Sequence, residues 1–254
     1  MSEINFYNVD CVEFMKTKPD NYYDLAIVDP PYGINAPNMQ MGSNPNRNEK
    51  GQYPGTSTSV KLKKGDSFHG RGKLKDRILN RMNTDWDCIP PSEEYFEQLF
   101  RVSKNQIIWG GNYFDLPPRR GFIIWNKNQP WENFSQAEFA WTSFNMPAKV
   151  FTFSNRGGTN EEKKIHPTQK DIELYKFCLK FANEGDKILD THGGSMSSAI
   201  ACDIKGFEMD ICEIDNNYFN TAVNRFNSYK TAKDEISELG YAKTKLNAQN
   251  PILF

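Results

Sequence analysis

Short apolar runs alternate with amphipathic stretches along most of the chain. Six runs of four to six residues have the length and the flanking turn residues of buried strands. These runs are residues 23–28, 106–109, 121–125, 149–153, 187–190 and 208–212. The first run is stopped at once by Pro30 and Pro31, which cannot donate to a sheet ladder. The pattern predicts a sheet of short strands connected by helices.

Between the runs, apolar residues return at helical spacing. Residues 93–102 place Tyr95, Phe96, Leu99 and Val102 on one face, and residues 195–205 end at Gly206. Two further helices are predicted with their caps. Thr168 caps a helix lined by Ile172, Tyr175, Cys178 and Leu179 before Gly185, and Asp215 caps one lined by Phe219, Val223 and Phe226. Alternating strands and helices predict an α/β fold with a mostly parallel sheet, helices on both faces and ligands at the carboxyl ends of the strands.

One stretch interrupts this alternation. From residue 35 to about residue 75 there is no apolar periodicity. Residues 35–81 contain ten basic and three acidic residues, a net charge of +7, whereas the whole chain carries −1. The rest of the chain therefore carries −8. Such asymmetry indicates a polyanionic partner, although a solvated loop would show the same charge.

Composition narrows the class of protein. The 254 residues are 38% hydrophobic and 13% aromatic, which predicts one well-packed domain over residues 1–254 rather than disorder. Without a signal peptide or a long apolar run, the expected location is the cytoplasm. The five cysteines form no C-x-x-C pair and the three histidines lie far apart, so neither a metal site nor a disulfide framework is expected.

The first candidate functional site is Asp29-Pro30-Pro31-Tyr32, directly after the first buried run. The two prolines lack N–H groups, so this backbone offers carbonyl acceptors and few donors. Asp29 adds carboxylate acceptors, and Tyr32 adds a flat aromatic face. Together they suit a flat ring that carries an amino group, whereas a rigid turn is the plain structural alternative.

A second site is predicted where residues 187–190 run into Gly193-Gly194-Ser195. Glycines allow a ligand to approach the backbone closely, and Glu213 ends the next strand about twenty residues later, where a carboxylate can accept from ribose hydroxyls. Phosphate-binding glycine patterns are absent from the sequence. This favours a nucleoside ligand without a pyrophosphate, and a plain strand–turn–helix joint is the alternative.

These segments resemble the β-class amino-DNA methyltransferases, which use S-adenosylmethionine to methylate adenine N6 or cytosine N4. Asp-Pro-Pro-Tyr looks like their catalytic motif, and its position ahead of the glycine loop matches their permuted order. Further similar segments are Asn8–Cys11, with Asn8 in place of glycine, the Trp125-Asn126-Lys127 strand end, His166-Pro167-Thr168-Gln169-Lys170, the loop from Asp190, and Glu213 with Tyr218 and Arg225. Thr191-His192 and Met196-Ser197 depart from the family's loop, and Asp171 replaces a common proline.

The resemblance implies a Rossmann-like class I methyltransferase fold and a site-specific adenine-N6 DNA methyltransferase. The implied catalytic residues are Asp29, Pro30, Pro31 and Tyr32. The implied S-adenosylmethionine-binding residues are Asp10, Cys11, His166, Thr168, Lys170, Asp190, His192, Gly194, Ser195 and Glu213. For His192, packing or hydrogen bonding is expected rather than general-base chemistry.

DNA contacts are expected outside the implied catalytic and cofactor-binding residues. The 35–81 segment follows the catalytic motif, so its basic residues are predicted to contact phosphates and to become ordered on DNA. These are Lys61, Lys63, Lys64, Arg71, Lys73 and Lys75. Residues 126–165 are the expected target-recognition region, with Trp131, Phe134, Trp141, Phe144 and Arg156, although core packing also explains the aromatic residues.

Several alternatives stay open at this stage. The same apparatus serves cytosine-N4 methylation, although cytosine enzymes of the family more often carry Ser in place of Asp29. A catalytically idle DNA-binding relative and a methyltransferase for protein amides or small molecules are the others. The final residues 249–254, Gln-Asn-Pro-Ile-Leu-Phe, either cover an exposed edge or, since they resemble peptides that dock on bacterial sliding clamps, tether the chain to a clamp.

Overall fold

The fold is built on an eight-stranded sheet. The computed structural model describes residues 3–35, 87–129, 135–154, 165–166 and 168–249, with side chains described as far as residue 237. The strands are β1 Ile4–Tyr7, β2 Tyr23–Val28, β3 Ser103–Trp109, β4 Phe122–Asn126, β5 Ala137–Thr142, β6 Lys149–Thr152, β7 Lys187–Asp190 and β8 Glu208–Cys212. Their order is β1-β8-β7-β2-β3-β5-β4-β6, and only β5 runs against its neighbours among these strands.

Helices cover both faces of this sheet. They are α1 Cys11–Lys16, α2 Glu93–Val102, α3 Ile172–Cys178, α4 Ser197–Lys205 and α5 Asn216–Gln249. On one face, β-strand residues such as Ile107 and Ile188 join a core with α3, α4 and the start of α5. On the other face, their neighbours Ile108 and Leu189 join a second core with α1 and α2. The predicted α/β architecture is confirmed.

All six predicted strands are present, and two strands were not predicted. The short β1 has no fully buried residue, so it lacks a strong apolar signal. In β5, Glu138 interrupts the apolar pattern of the sequence, and Ala137 is exposed. Both strands are stabilised chiefly by their neighbours in the sheet, because β1 pairs with β8 and β5 lies between β3 and β4.

The helix boundaries confirm most of the predicted caps and correct one. Asp215 accepts hydrogen bonds from the backbone amides of Asn217 and Tyr218, and Gly206 ends α4 with φ +82°. The prediction that Thr168 caps the third helix is wrong. Asp171 caps α3 instead and accepts from the amide of Glu173, because the preceding residues belong to the site.

Parts of the sequence interpretation fall outside the described residues. The predicted DNA contacts Lys61, Lys63, Lys64, Arg71, Lys73 and Lys75, the aromatic residues Trp131 and Phe134, Arg156 and the terminal residues 250–254 are among them. The interpretations of these residues therefore stay predictions. Within the described residues, none of the helices is both long and apolar enough to span a membrane.

The order of the strands creates one favoured ligand position. From β7 the chain crosses through α4 to β8, and from β2 it crosses through α2 to β3, in opposite directions along the sheet. The two crossovers therefore diverge at the β7–β2 boundary. In open α/β sheets, the crevice at the carboxyl ends of such strands is where ligands bind.

A buried carboxylate attaches α5 to α4. Asp203 accepts hydrogen bonds from the Tyr229 hydroxyl at 2.9 Å, the Lys230 ammonium at 2.8 Å and the Lys233 ammonium at 2.6 Å. Burial alone would raise the pKa of Asp203, but these donors lower it to about 2. The carboxylate therefore stabilises the folded chain mainly while it is ionised.

We expect Asp203→Asn to lower the free energy of unfolding by about 1–2 kcal/mol at pH 7, after allowance for the screening of two partly exposed lysines. Because the folded pKa is lowered, this contribution is present above about pH 4 and is lost as the pH falls toward 2. Urea denaturation at pH 7, 4.5 and 3 would measure the difference. Exposed Asp234→Asn on the same helix is the control, and a gap that is constant with pH would contradict the assignment.

Candidate active site

The segments that contain the predicted site residues meet at the carboxyl ends of neighbouring parallel strands. Ala26 of β2 is level with Leu189 of β7, and Tyr7 of β1 is level with Cys212 of β8. Since all four strands are parallel, the residues that follow them leave the sheet side by side. These segments are residues 29–33 after β2, 191–196 after β7, 213–215 after β8 and 8–10 after β1.

Asp87 holds the backbone of the turn at residues 29–33, which we call the catalytic turn because the resemblance implies a catalytic role for it. Its buried carboxylate accepts hydrogen bonds from the amide of Tyr32 at 2.5 Å and from the amide of Gly33 at 3.0 Å. Gly33 has φ +72°, and a Cβ there would clash with Pro90. The carbonyl of Asp87 also accepts from the amide of Asn35 at 2.8 Å. The backbone amides of Tyr32 and Gly33 are therefore engaged by Asp87.

Asp29 lies at the centre of the site with both carboxylate oxygens engaged. The Tyr32 hydroxyl donates to Oδ1 at 2.5 Å, and the Lys170 ammonium donates to Oδ2 at 2.5 Å. The side chain is 16% exposed. Burial, together with the Asp29 and Glu138 carboxylates, holds the pKa of Tyr32 well above its usual value, so its hydroxyl keeps its proton. The carboxylate is thus fixed in one orientation.

The Tyr32 ring is held between aromatic groups and a glycine. Tyr113 stacks on it with ring centres 4.9 Å apart and an angle of 18°, and Phe114 meets it edge-on. Gly110 lies against the ring in a left-handed conformation with φ +70°. A Cβ on Gly110 would come within 2.7 Å of three ring carbons. This close approach requires glycine at position 110.

Lys170 lies at the catalytic turn. Its side chain is 5% exposed, and its ammonium pairs with Asp29 and, at 3.1 Å, with Glu138. Glu138 also pairs with Lys127 at 2.5 Å. Burial alone would lower the pKa of Lys170, but the carboxylates of Asp29 and Glu138 raise it. The resemblance implied a cofactor contact for Lys170. In the structure, its ammonium forms ion pairs with these two carboxylates.

Asp190 accepts hydrogen bonds from the glycine loop and from α4. Its Oδ1 accepts from the amide of His192 at 3.0 Å, and its Oδ2 accepts from the Ser198 hydroxyl at 2.6 Å. Burial is the main cause that raises the pKa of Asp190 to about 7. In the loop, Gly194 and Met196 both have positive φ, which turns the backbone sharply into α4. Asp190 therefore acts here through the loop backbone.

Glu213 joins the glycine loop to the end of β8. Its Oε2 accepts from the amide of Gly194 at 2.8 Å, and its Oε1 accepts from the amide of Asp215 at 2.9 Å. Burial raises the pKa of Glu213. The Asn8 side-chain amide donates to the carbonyl of Glu213 at 2.7 Å. Asn8, which departs from the family's glycine, thus connects the ends of β1 and β8 beside this carboxylate.

Asp10 and Cys11 begin the helix that follows β1. Asp10 caps α1, because its Oδ1 accepts from the amides of Val12 and Glu13. Burial, followed by the charge of Asp10, raises the pKa of the Cys11 thiol to about 12. The thiol is therefore neutral and unreactive at pH 7. Both residues lie at the same sheet edge as Glu213.

The two histidines near the loop are neutral and packed. The His166 ring lies 4.5 Å from the Tyr218 ring, centre to centre, and burial is the first cause that lowers its pKa to about 4. Burial likewise lowers the pKa of His192 to about 4, and its Nδ1 lies 2.9 Å from the Thr191 hydroxyl. The His192 ring also meets the Tyr95 ring.

The remaining predicted residues flank the loop. Thr168 is exposed, and its hydroxyl lies 3.2 Å from Nδ1 of His166. Ser195 is buried, and its carbonyl accepts from the Arg225 guanidinium at 2.7 Å. Arg225 thereby attaches α5 to the loop. A Cβ built on Gly194 would be in ordinary van der Waals contact with the His166 ring, at 3.8 Å.

Sequence reasoning missed four residues of this site: Asp87, Gly110, Tyr113 and Glu138. Gly110 and Gly111 directly follow a buried strand, a signal that could have indicated a close approach. Asp87 and Glu138 are single acidic residues without a motif. Their partners are distant in sequence, so only the fold identifies them.

Comparison with known proteins agrees with this geometry. The chain is 24% identical over 276 residues to the type II methyltransferase M.HinfI of Haemophilus influenzae, covering 91% of this chain and 70% of that protein. It is 33% identical over 93 residues to the type II methyltransferase M.HpaI of Haemophilus parainfluenzae, covering 36% of this chain and 30% of that protein. The chain is homologous to type II DNA methyltransferases.

The fold agrees with a solved methyltransferase structure as well. The PvuII DNA methyltransferase, described as cytosine-N4-specific, superposes with a TM-score of 0.52 at 13% identity, covering 89% of this chain and 87% of that one. This similarity confirms the class I methyltransferase fold. No protein-family model matches the chain.

Proposed function

We propose that the chain is an S-adenosylmethionine-dependent DNA methyltransferase that methylates adenine N6. The observation that carries the proposal is the position of Asp29 at the β7–β2 boundary. Its carboxylate is fixed by Tyr32 and Lys170, and the glycine loop leaves the neighbouring strand at the same level. The homology to type II methyltransferases supports DNA as the substrate.

The residues around the glycine loop fit S-adenosylmethionine. Glu213 offers a partly buried carboxylate with unused lone pairs toward ribose hydroxyls. Gly194 leaves space at the loop, since a Cβ there meets nothing closer than 3.8 Å. Phosphate-binding patterns are missing from the sequence, in agreement with a nucleoside ligand. When bound, this cofactor supplies an electrophilic sulfonium methyl group.

The catalytic turn fits an adenine that has left the duplex. In a duplex the amino group is inaccessible, so the base must be flipped into the site. Tyr32 is proposed to stack on the base, which would take the place of the Tyr113 ring that stacks on it in the structure. Asp29 and the carbonyl of Pro30 accept the two amino hydrogens. These bonds direct the nitrogen lone pair toward the methyl group. Positioning and fixed electrostatics provide the catalysis.

Adenine is proposed over cytosine because Asp29 stands where cytosine enzymes of the resembled family more often carry Ser. The decisive experiment expresses the chain in a methylation-deficient host and analyses the nucleosides of its DNA by mass spectrometry. N6-methyldeoxyadenosine supports the proposal, and N4-methyldeoxycytidine would overturn the choice of base. Unmodified DNA from a well-expressed, folded chain would favour the idle DNA-binding relative.

Glu213→Gln should weaken cofactor binding and spare DNA binding. One amide cannot replace a carboxylate that accepts from two backbone amides and from ribose, a loss of about 1.5–3 kcal/mol, or about 10- to 150-fold in Kd. Titration calorimetry with S-adenosylmethionine measures the effect. Glu208→Gln is the control, since Glu208 is an exposed glutamate at the start of β8, the strand that Glu213 follows. Equal affinities for the two variants would remove Glu213 from the cofactor site.

The basic segment is proposed to bind the DNA backbone. The proposal rests on its net charge of +7 and on its place after the catalytic turn. Charge reversal to Glu at Lys61, Lys63, Lys64, Arg71, Lys73 and Lys75 should weaken DNA binding and flatten its salt dependence, because fewer counterions are released. Cofactor affinity should not change. An unaltered salt slope would assign the charge to a solvated loop.

A further inference from the structure

Lys170 is a deeply buried cation of the site, and it has two carboxylate partners. Its ammonium lies 2.5 Å from Asp29 Oδ2 and 3.1 Å from Glu138 Oε2, and its side chain is only 5% exposed. Glu138 is joined in turn to Lys127 at 2.5 Å. A continuous chain of ion pairs therefore runs from β5 to the catalytic carboxylate. We call Lys127, Glu138, Lys170 and Asp29 the charge chain.

The charge chain is electrically balanced. It contains two ammonium groups and two carboxylates in alternating order, so each internal charge contacts two of opposite sign. A buried charge that loses its partner is strongly destabilised. Burial alone would raise the pKa of Glu138, but Lys170 and Lys127 lower it to about 2. Glu138 is therefore an anion at every pH at which such an enzyme would work.

Glu138 reaches the site from the antiparallel strand β5. It is level with Trp125 of β4, whose successor residues include Lys127, and it enters the site from the side opposite β7. Lys170 is thus held between Asp29, which follows β2, and Glu138 of β5. With a single partner, the four-carbon side chain of Lys170 could rotate. With two carboxylate partners, the ammonium is more restricted than with one, and so is the Asp29 oxygen that it contacts.

We propose that Glu138 is a positioning residue for methyl transfer, which holds the Lys170 ammonium so that Asp29 keeps the orientation needed to accept the target amino group. The proposal rests on the methyltransferase function proposed above. When the amino group engages Asp29, Glu138 continues to neutralise Lys170, so the ammonium does not compete for both Asp29 oxygens. Glu138 itself does not contact the base.

The test compares Glu138→Gln, Lys127→Met, the double variant Lys127→Met/Glu138→Gln and the matched control Glu97→Gln. The double variant restores the charge balance without restoring the hold on Lys170. Exposed Glu97 undergoes the same chemical change away from the site. Thermal melting checks the fold of each variant. Steady-state methylation of DNA gives kcat and KM, and amine labelling with an N-hydroxysuccinimide ester, read by peptide mass spectrometry, gives the reactivity of Lys170.

We expect Glu138→Gln to lower kcat at least tenfold with KM values for both substrates within threefold, and to raise the labelling rate of Lys170 at least tenfold. The double variant should melt near the wild-type temperature yet keep the low kcat and the fast labelling. If the single variant is too unstable, the double variant provides the same comparison. Glu97→Gln should match the wild type in all three measurements.

Two results would overturn the proposal. One is a Glu138→Gln variant whose kcat and Lys170 labelling stay within twofold of wild type. The other is a double variant that regains full kcat and full protection of Lys170, since charge neutrality alone would then be the role of Glu138. Failure of the proposed function is distinguishable, because a wild-type chain without methyl transfer would overturn that function while the labelling would still report whether Glu138 holds Lys170.

Discussion

Asp29→Asn is expected to lower kcat by about 10²- to 10³-fold, as the loss of one preorganised electrostatic contact does at other active sites. The amide keeps the shape of the side chain but offers one acceptor oxygen in place of two. Its NH₂ group also faces either the Lys170 ammonium or the Tyr32 hydroxyl, both of which donate to Asp29. The target amino group therefore loses its oriented acceptor.

Single-turnover transfer of a radiolabelled methyl group to DNA would measure this loss. Cofactor affinity should change little, because Asp29 lies after β2, whereas the glycine loop and Glu213, which we propose to bind the cofactor, follow β7 and β8. Asp24→Asn is the matched control. Asp24 lies near the start of β2, at the end away from the turn, and forms an ion pair with Lys104 of β3 at 2.6 Å. A variant at Asp29 that keeps a third of the wild-type rate would remove Asp29 from the chemistry.

Gly110→Ala should be nearly as damaging, although residue 110 carries no chemical group. The added Cβ would overlap three carbons of the Tyr32 ring, and the left-handed backbone strains any residue with a Cβ. The Tyr32 ring must shift, and its hydroxyl then leaves Asp29. We expect a kcat at least 100-fold lower.

The chain contains a control for backbone strain alone. Gly185 has φ +86°, and a Cβ there would meet nothing within 4 Å. Gly185→Ala should therefore cost about 1–2 kcal/mol of stability and leave kcat unchanged. Thermal melting and initial methylation rates would separate the two effects. Similar activities for the Gly110→Ala and Gly185→Ala variants would show that the position of Tyr32 is not critical.

The sequence alone predicted the elements whose signal is local. The runs that became β2, β7 and β8 are apolar and end in turn residues, and Asp215 and Gly206 mark helix ends by their own chemistry. The same locality placed Asp29 and Tyr32 together, because they are three residues apart after a buried strand. It also led to the wrong prediction that Thr168 caps the third helix. The Asp171 carboxylate, directly before the helix, is the actual cap.

The tertiary structure decided which distant residues share the site. Asp87 reaches the catalytic turn across 55 residues, and Lys170 reaches Asp29 across 141. Glu138 lies in the short strand β5, which places it beside Lys170. The residue pattern of β5 did not predict a strand. A buried charge is stable only beside an opposite charge, and sequence spacing holds no information about that distance. The sequence therefore determined the alternating fold and the catalytic turn, whereas the pairing of strands determined which charges hold that turn in place.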